Sequence, residues 1–226
     1  MIRMLTLIIA LFAAPAAQAC EQVDFDGAPF TTCRVDLTDT RVALFLRDAE
    51  GEVYGSFDRI EAALPEGRRL GLAMNAGMYH SDRRPVGLYI EDGKEEMRVV
   101  TSDGPGNFGL LPNGVLCLSD GQAALIESRT YAAAPPACTH ATQSGPMLVI
   151  DGDLHPRFIP GGTSRNIRNG VGVDETGTVL HLVISDAPVN FHHFARFFRD
   201  HLGVPNALYF DGRVSRLYAP DIGRAD

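Results

Sequence analysis

Glycine-bearing turn signals punctuate this chain at short intervals and constrain its fold more than any other feature. Glu50-Gly51, Asp92-Gly93, Asn113-Gly114, Asp120-Gly121, Asp151-Gly152 and Thr176-Gly177 each supply a residue that accepts the left-handed backbone of a tight turn. The runs between them are short and β-rich: 41–47, 69–74, 86–91, 97–101, 115–119, 123–127, 147–150, 170–174, 179–185 and 207–210. Short runs bounded by turns predict strands joined in hairpins. Residues 147–150 and 179–184 are largely apolar, as expected of central strands covered on both faces.

Two helices interrupt the strands. One is expected over 57–64, after Ser56 and before Pro65-Glu66-Gly67. The other spans 191–202, with Asn190 as N-cap, Gly203 just past its end and Pro205 beyond. Phe191, Phe194, Ala195, Phe198 and Leu202 fall on one stripe of it. It lies between the runs 179–185 and 207–210, giving one βαβ-like unit in a mainly β chain. With no repeat, low-complexity tract or linker, the reading is α+β: a single domain of mostly antiparallel and mixed β-sheet with a few helices, over 20–226.

Residues 1–19 read as an address. Arg3 gives a positive start, residues 5–14 an apolar run too short to span a bilayer, and Ala17-Gln18-Ala19 a small-x-small cleavage pattern. A secretory signal peptide cut after Ala19 is expected, with the mature chain periplasmic or secreted. No other run reaches transmembrane length, so no stable membrane insertion is expected after cleavage. A lipoprotein signal would also put a Cys at position 20, but Ala17 sits where such signals usually carry Leu.

Export makes the cysteines interpretable. Cys20, Cys33, Cys117 and Cys138 are an even set, which in an oxidising compartment favours two disulfides. Three pairings exist. Cys20–Cys33 with Cys117–Cys138 is favoured, since these local closures tie down the new N-terminus and one later loop. No C-x-x-C occurs, which argues against a zinc or thioredoxin-like motif.

The balance of 20 basic and 28 acidic residues, net −8, argues against a nucleic-acid or anionic-membrane binder. All the basic residues except Lys94 are Arg, each a potential fork for phosphate or carboxylate.

Several strands finish in polar, glycine-containing segments: Asn75-Ala76-Gly77-Met78-Tyr79, Gln143-Ser144-Gly145-Pro146, Ser164 to Gly170, and Asp211-Gly212-Arg213-Val214-Ser215. Glycine lets a ligand approach the backbone, and Asn, Gln, Ser, Arg and Asp supply the fixed hydrogen bonds of a sugar or phosphate pocket. Together, Asn75 to Tyr79, Ser144 to Val149, Arg168 to Gly172, and Asn206 to Gly212 with Ser215 resemble the phosphodiester glycosidase family, in the family's order over roughly 70–218. The resemblance implies hydrolysis of a sugar-1-phosphodiester to free sugar and phosphomonoester. Its substrate partner would be a small-molecule or glycan phosphodiester. One departure is visible: the family's aspartate loop is richer in glycine, Asp-Gly-Gly-Gly-Ser, and Arg213 and Val214 replace two of those glycines.

The residue types suit that chemistry. A phosphodiester leaves more readily than a sugar alkoxide, so strong general-acid help is less necessary than in ordinary glycosidases. A phosphate clamp, a carboxylate near the anomeric centre and hydroxyl-reading amides suffice. Arg168 is the expected clamp and Arg165 the second choice. Asp211 is the expected base or oxocarbenium-stabilising carboxylate, and Asp186 a second carboxylate. Asn75 and Gln143 would orient sugar hydroxyls or phosphate oxygens. Ser144, Ser215 and the amides at Gly77 and Gly145 would donate hydrogen bonds, with Asn169, Gly212 and Tyr79 completing the lining.

Bland readings stand beside these. Asp211 is also a turn-starter, Arg168 an ion-pair partner, Asn75 a cap and Tyr79 a hairpin tip. No cofactor is predicted, and His140, His155, His181 and His201 show no metal-ligand spacing. A hard cation on Asp and carbonyl oxygens would leave little trace in sequence. A rival from another class is a non-catalytic periplasmic module that binds glycans or polyol phosphates.

Overall fold

The computed structural model describes residues 19–226. The expected signal peptide lies outside the described residues except for Ala19. In chain order the strands are β1 (Cys20–Phe25), β2 (Ala28–Asp36), β3 (Ala73–Met74), β4 (Tyr89–Glu91), β5 (Lys94–Met97), β6 (Gly114–Ser119), β7 (Gln122–Glu127) and β8 (His140–Ser144). They continue with β9 (Met147–Ile150), β10 (Asp153–Leu154), β11 (Asn169–Val173), β12 (Val179–Ser185), β13 (Asn206–Asp211), β14 (Leu217–Ala219) and β15 (Arg224–Ala225). The α-helices are α1 (Phe57–Ala63), α2 (Ser128–Ala133) and α3 (Phe191–Arg196).

The strands form a seven-stranded sheet in the order β1-β2-β12-β11-β13-β9-β10, a five-stranded sheet β5-β4-β8-β6-β7 and a three-stranded sheet β15-β14-β3. Among the described residues the strands in these sheets pair antiparallel. The helix α3 connects β12 to β13, and β11 lies between these two strands, antiparallel to both. The expected strand–helix–strand unit therefore forms around an inserted strand.

Two cores sandwich the large sheet. On one face, α3 and the π-helical turn Phe197–His201 bury Phe194, Phe197 and Phe198 against Phe30, Leu148, Val183 and Ala207. On the other, Met147, Val171, Leu180, Leu208 and Phe210 meet Leu116, Leu118 and Leu125 of the five-stranded sheet. Gly172 sets the spacing on the helical side. A Cβ there would stand 2.8 Å from Val204 Cγ2 and 2.9 Å from Phe198 Cδ1, so only glycine lets the π-turn approach this closely.

The caps follow the sequence. Asn190 Oδ1 accepts the His193 N–H at 2.8 Å, and Gly203 lies past the helical end at φ +68°. Ser56 caps α1. The disulfides are Cys20–Cys33, across directly paired positions of β1 and β2, and Cys117–Cys138. Among the described residues no helix is long and apolar enough to cross a membrane.

Some expected strands are irregular. Within 41–47 the only pairing is a bridge from Arg47 to Val53. In 97–101 the backbone of Val100 is held by a side chain: its N–H donates to Gln143 Oε1 at 2.9 Å, and its carbonyl accepts from Gln143 Nε2 at 2.6 Å. The hairpin β1–β2, the strand β8 and the helix α2 form where no element was expected.

Candidate active site

Antiparallel register gathers the motif segments at one end of the large sheet. Asn169, at the start of β11, sits opposite both Asp211 at the end of β13 and Ile184 near the end of β12. The chain leaves β8 through Ser144-Gly145-Pro146 and enters β9 at this same end, Met147 pairing with Leu208. The pairing of Leu217 with Met74 brings Asn75 beside Ser215 and Arg216.

A continuous network joins these residues. Asn169 is fully buried and its Nδ2 donates to the Asn75 carbonyl at 2.7 Å and to Asn75 Oδ1 at 3.1 Å. Ser215 Oγ lies 3.3 Å from Asn169 Oδ1, 3.0 Å from the Ile167 carbonyl and 3.1 Å from the Asp211 carbonyl. Asn75 Oδ1 also accepts the Arg216 N–H at 2.8 Å, while its buried Nδ2 has no partner. Asp211 Oδ1 accepts the N–H groups of Arg213 and Val214, which closes an Asx turn. Its Oδ2 makes no hydrogen bond among the described residues.

Arg168 reaches this end from beneath. Its side chain is wholly buried, with Nε donating to the Val189 carbonyl at 2.9 Å and Nη2 to the Ser164 carbonyl at 3.0 Å. Its Cζ lies 3.7 Å from the centroid of the Phe191 ring and 5.4 Å from that of Tyr209. No carboxylate pairs with it among the described residues, and Nη1 has no hydrogen-bond partner. Burial lowers its pKa, an effect opposed by the nearby Tyr209 hydroxyl. That hydroxyl is itself pushed up to about 12, chiefly by burial, and remains a proton donor at neutral pH. A Cβ on Gly212 would stand 2.4 Å from Tyr209 Oη and 3.5 Å from Arg168 Nη1. Gly212 is thus the loop residue that closes over this donor pair, directly beside Asp211.

The phosphodiester glycosidase family profile covers residues 69–220, the stretch that carries Asn75, Arg168, Asp211 and Ser215. The uncharacterised Escherichia coli (strain K12) protein YigE is 33% identical over 178 residues, 79% of this chain and 69% of its own length. The chain belongs to the phosphodiester glycosidase family. Its fold is similar to the catalytic domain of zebrafish N-acetylglucosamine-1-phosphodiester α-N-acetylglucosaminidase, a structure auto-inhibited by its pro-peptide. The TM-score is 0.61 at 15% identity, over 92% of this chain and 73% of that one.

Other expected site residues of this phosphodiester glycosidase-family chain have structural partners. Gln143 is buried, and besides Val100 its amide engages the Leu88 N–H at 3.1 Å and Ser128 Oγ at 2.8 Å. No donor or acceptor is left to read a sugar, so it holds the 98–101 segment in place. Ser144, fully buried, donates to the Phe210 carbonyl at 3.2 Å and ties β8 to β13. Asp186 pairs with Arg224 and accepts from Thr31 Oγ1 at 2.8 Å, which occupies both oxygens. Arg165 is exposed and donates to the Pro188 carbonyl at 3.4 Å. Gly77, at φ +100°, packs beside Thr142, and Gly145 packs against Asn113. Tyr79 is an exposed hairpin residue under Arg83, 4.7 Å from its ring centroid.

Sequence reasoning missed Tyr209 and Asn107, whose Nδ2 lies 3.5 Å from Tyr209 Oη. Tyr209 reads as an apolar strand residue, and Asn107 sits in a glycine-rich loop far from the other motifs. Among the described residues no group of three or more His, Cys, Asp or Glu could hold a metal ion. A cavity of about 740 Å³ lies elsewhere, lined by Asp39, Asp92, Asp120 and His140 among others.

Proposed function

We propose that the chain is an exported hydrolase that cleaves a sugar-1-phosphodiester into free sugar and a phosphomonoester, in cell-envelope or exopolysaccharide metabolism. The observation that carries the reading is Arg168: a buried guanidinium with no carboxylate partner and an unpaired Nη1, beside the Tyr209 hydroxyl and the Asp211-Gly212 turn. Uncompensated buried cations are strongly unfavourable, so a site that keeps one is suited to an anion.

In this reading Arg168 and Tyr209 hold the phosphate and stabilise the charge that gathers on the leaving oxygen. The bond between the anomeric carbon and that oxygen breaks, the electron pair leaves with the phosphate, and water supplies the new hydroxyl. The free Oδ2 of Asp211 stabilises the oxocarbenium-like centre or takes the proton of water. Asn75, Asn169 and Ser215 orient the sugar and the aspartate loop. Residues 20–226 form the working domain.

The test is product analysis with purified mature protein and a sugar-1-phosphate methyl diester. Free sugar is expected, and Asp211→Asn should lower its rate about 100-fold or more. Sugar-1-phosphate as product would contradict the reading. A second reading, a non-catalytic glycan- or polyol-phosphate-binding module, is favoured by one observation: Asp211 Oδ1 is engaged by its own loop. Binding without turnover, unchanged in Asp211→Asn, would support that module instead.

A further inference from the structure

Five large apolar side chains stand exposed among the described residues: Phe45, Tyr79, Ile159, Ile167 and Val214. Single exposed aliphatic residues are ordinary on any surface. Ile167 and Val214 differ in position, because the two short segments that carry them frame the candidate site. Ser215, next to Val214, donates to the Ile167 carbonyl at 3.0 Å. Asn166, next to Ile167, lies 3.4 Å from where a Cβ of Gly212 would stand. The two residues are 43% and 40% exposed, whereas Arg168, next to Ile167 in the chain, is 0% exposed. Ile159, at 69%, flanks the same site: it follows Phe158, whose ring stacks 5.1 Å from Phe191, the ring that carries the Arg168 guanidinium.

The same segments also carry arginines. Arg165, Arg213 and Arg216 are exposed and form no salt bridge among the described residues, as is also true of Arg68, Arg69 and Arg129 elsewhere. On a chain of net charge −8, one rim therefore presents guanidinium groups without a carboxylate partner and bare aliphatic surface together. Guanidinium groups suit phosphate, whereas the aliphatic surface offers no hydrogen bond to the hydroxyls of a sugar or glycerol.

We propose that the substrate is amphiphilic: a glycosyl phosphodiester whose second ester group is an alkyl chain, with the phosphate at the arginines and the chain lying over Ile167 and Val214. The inference rests on the phosphodiester reading above and names its substrate class. Hydrolysis of such a diester at the anomeric carbon leaves an alkyl phosphate, so alkyl phosphates are product-like ligands for a test that needs no turnover.

Titration calorimetry with methyl phosphate and with hexyl phosphate compares equal head groups and unequal chains. Hexyl phosphate is expected to bind at least about tenfold more tightly, the gain from covering about two methylene groups. The double variant Ile167→Ser/Val214→Ser, changed only at exposed side chains, should abolish that difference and leave methyl phosphate binding unaltered. Equal affinities in the unaltered protein would overturn the amphiphilic substrate while leaving the phosphate site standing. A preference that survives the double substitution would overturn the assignment to these side chains. Failure of both ligands to bind would overturn the phosphate reading itself, and this inference with it.

Discussion

At Arg168 the needs of stability and of function separate. A guanidinium loses several kcal/mol of hydration on burial, and here two carbonyls, the Phe191 face and Tyr209 offset it without a carboxylate. Arg168→Met keeps the volume and removes the charge. It should change unfolding free energy by no more than about 2 kcal/mol, because two lost hydrogen bonds offset a relieved desolvation cost. The same variant should lower kcat/KM about 100-fold or more. Urea unfolding beside steady-state kinetics checks both, and a variant that fails to fold would make Arg168 a structural residue. Arg168, Asp211 and Asn75 were legible in the sequence because each stands in a glycine-containing segment at a strand end. The saturation of Gln143 and Asp186 was not. Their partners, Val100 and Ser128 in one case and Thr31 and Arg224 in the other, arrive from remote parts of the chain. A side chain's unmet hydrogen bonds decide whether it can read a ligand, and that count exists only in three dimensions.

Elements explain why the site segments meet. Val179–Ser185 was readable end to end, since the Thr176-Gly177 turn opens it and its apolar run is covered on both faces. His140–Ser144 was not, because a strand buried at every position yet built from His, Ala, Thr, Gln and Ser carries no hydrophobic period. The segment 97–101 failed in the opposite sense: apolar and β-branched, it satisfies Val100 through the Gln143 amide in place of a neighbouring strand. Packing of α3 and its π-turn on β11 carries a prediction at this scale. Gly172→Ala should cost about 1–3 kcal/mol, because the new methyl meets Val204 Cγ2 and Phe198 Cδ1 at under 3.0 Å. A lowered melting temperature with an unshifted pH–rate profile is expected, and a variant as stable as the parent would contradict the close packing.

Across the molecule, two cores flank one antiparallel sheet, and the candidate site lies at the sheet end where chain reversals bring β9, β11, β12 and β13 together. The same layering buries histidines. His140, His155 and His181 are each held below the ordinary imidazole value of 6.5, first by burial. Nearby Asp92 and Glu91 oppose this at His140, and Asp174 at His181, where Arg34 adds to it. The unfolded chain therefore binds more protons than the native one as pH falls through 6.5, so stability is lost on acidification and not gained. The melting temperature should fall steadily from pH 7.5 to about 5, and His155→Phe, which removes a buried ring nitrogen with no partner, should flatten the curve. The central claim is which bond breaks. Turnover of a sugar-1-phosphate methyl diester in ¹⁸O-labelled water, followed by mass spectrometry of the phosphomonoester, reads this directly. Free sugar with an unlabelled phosphomonoester is the predicted result; ¹⁸O in the phosphate, or release of sugar-1-phosphate, would contradict it.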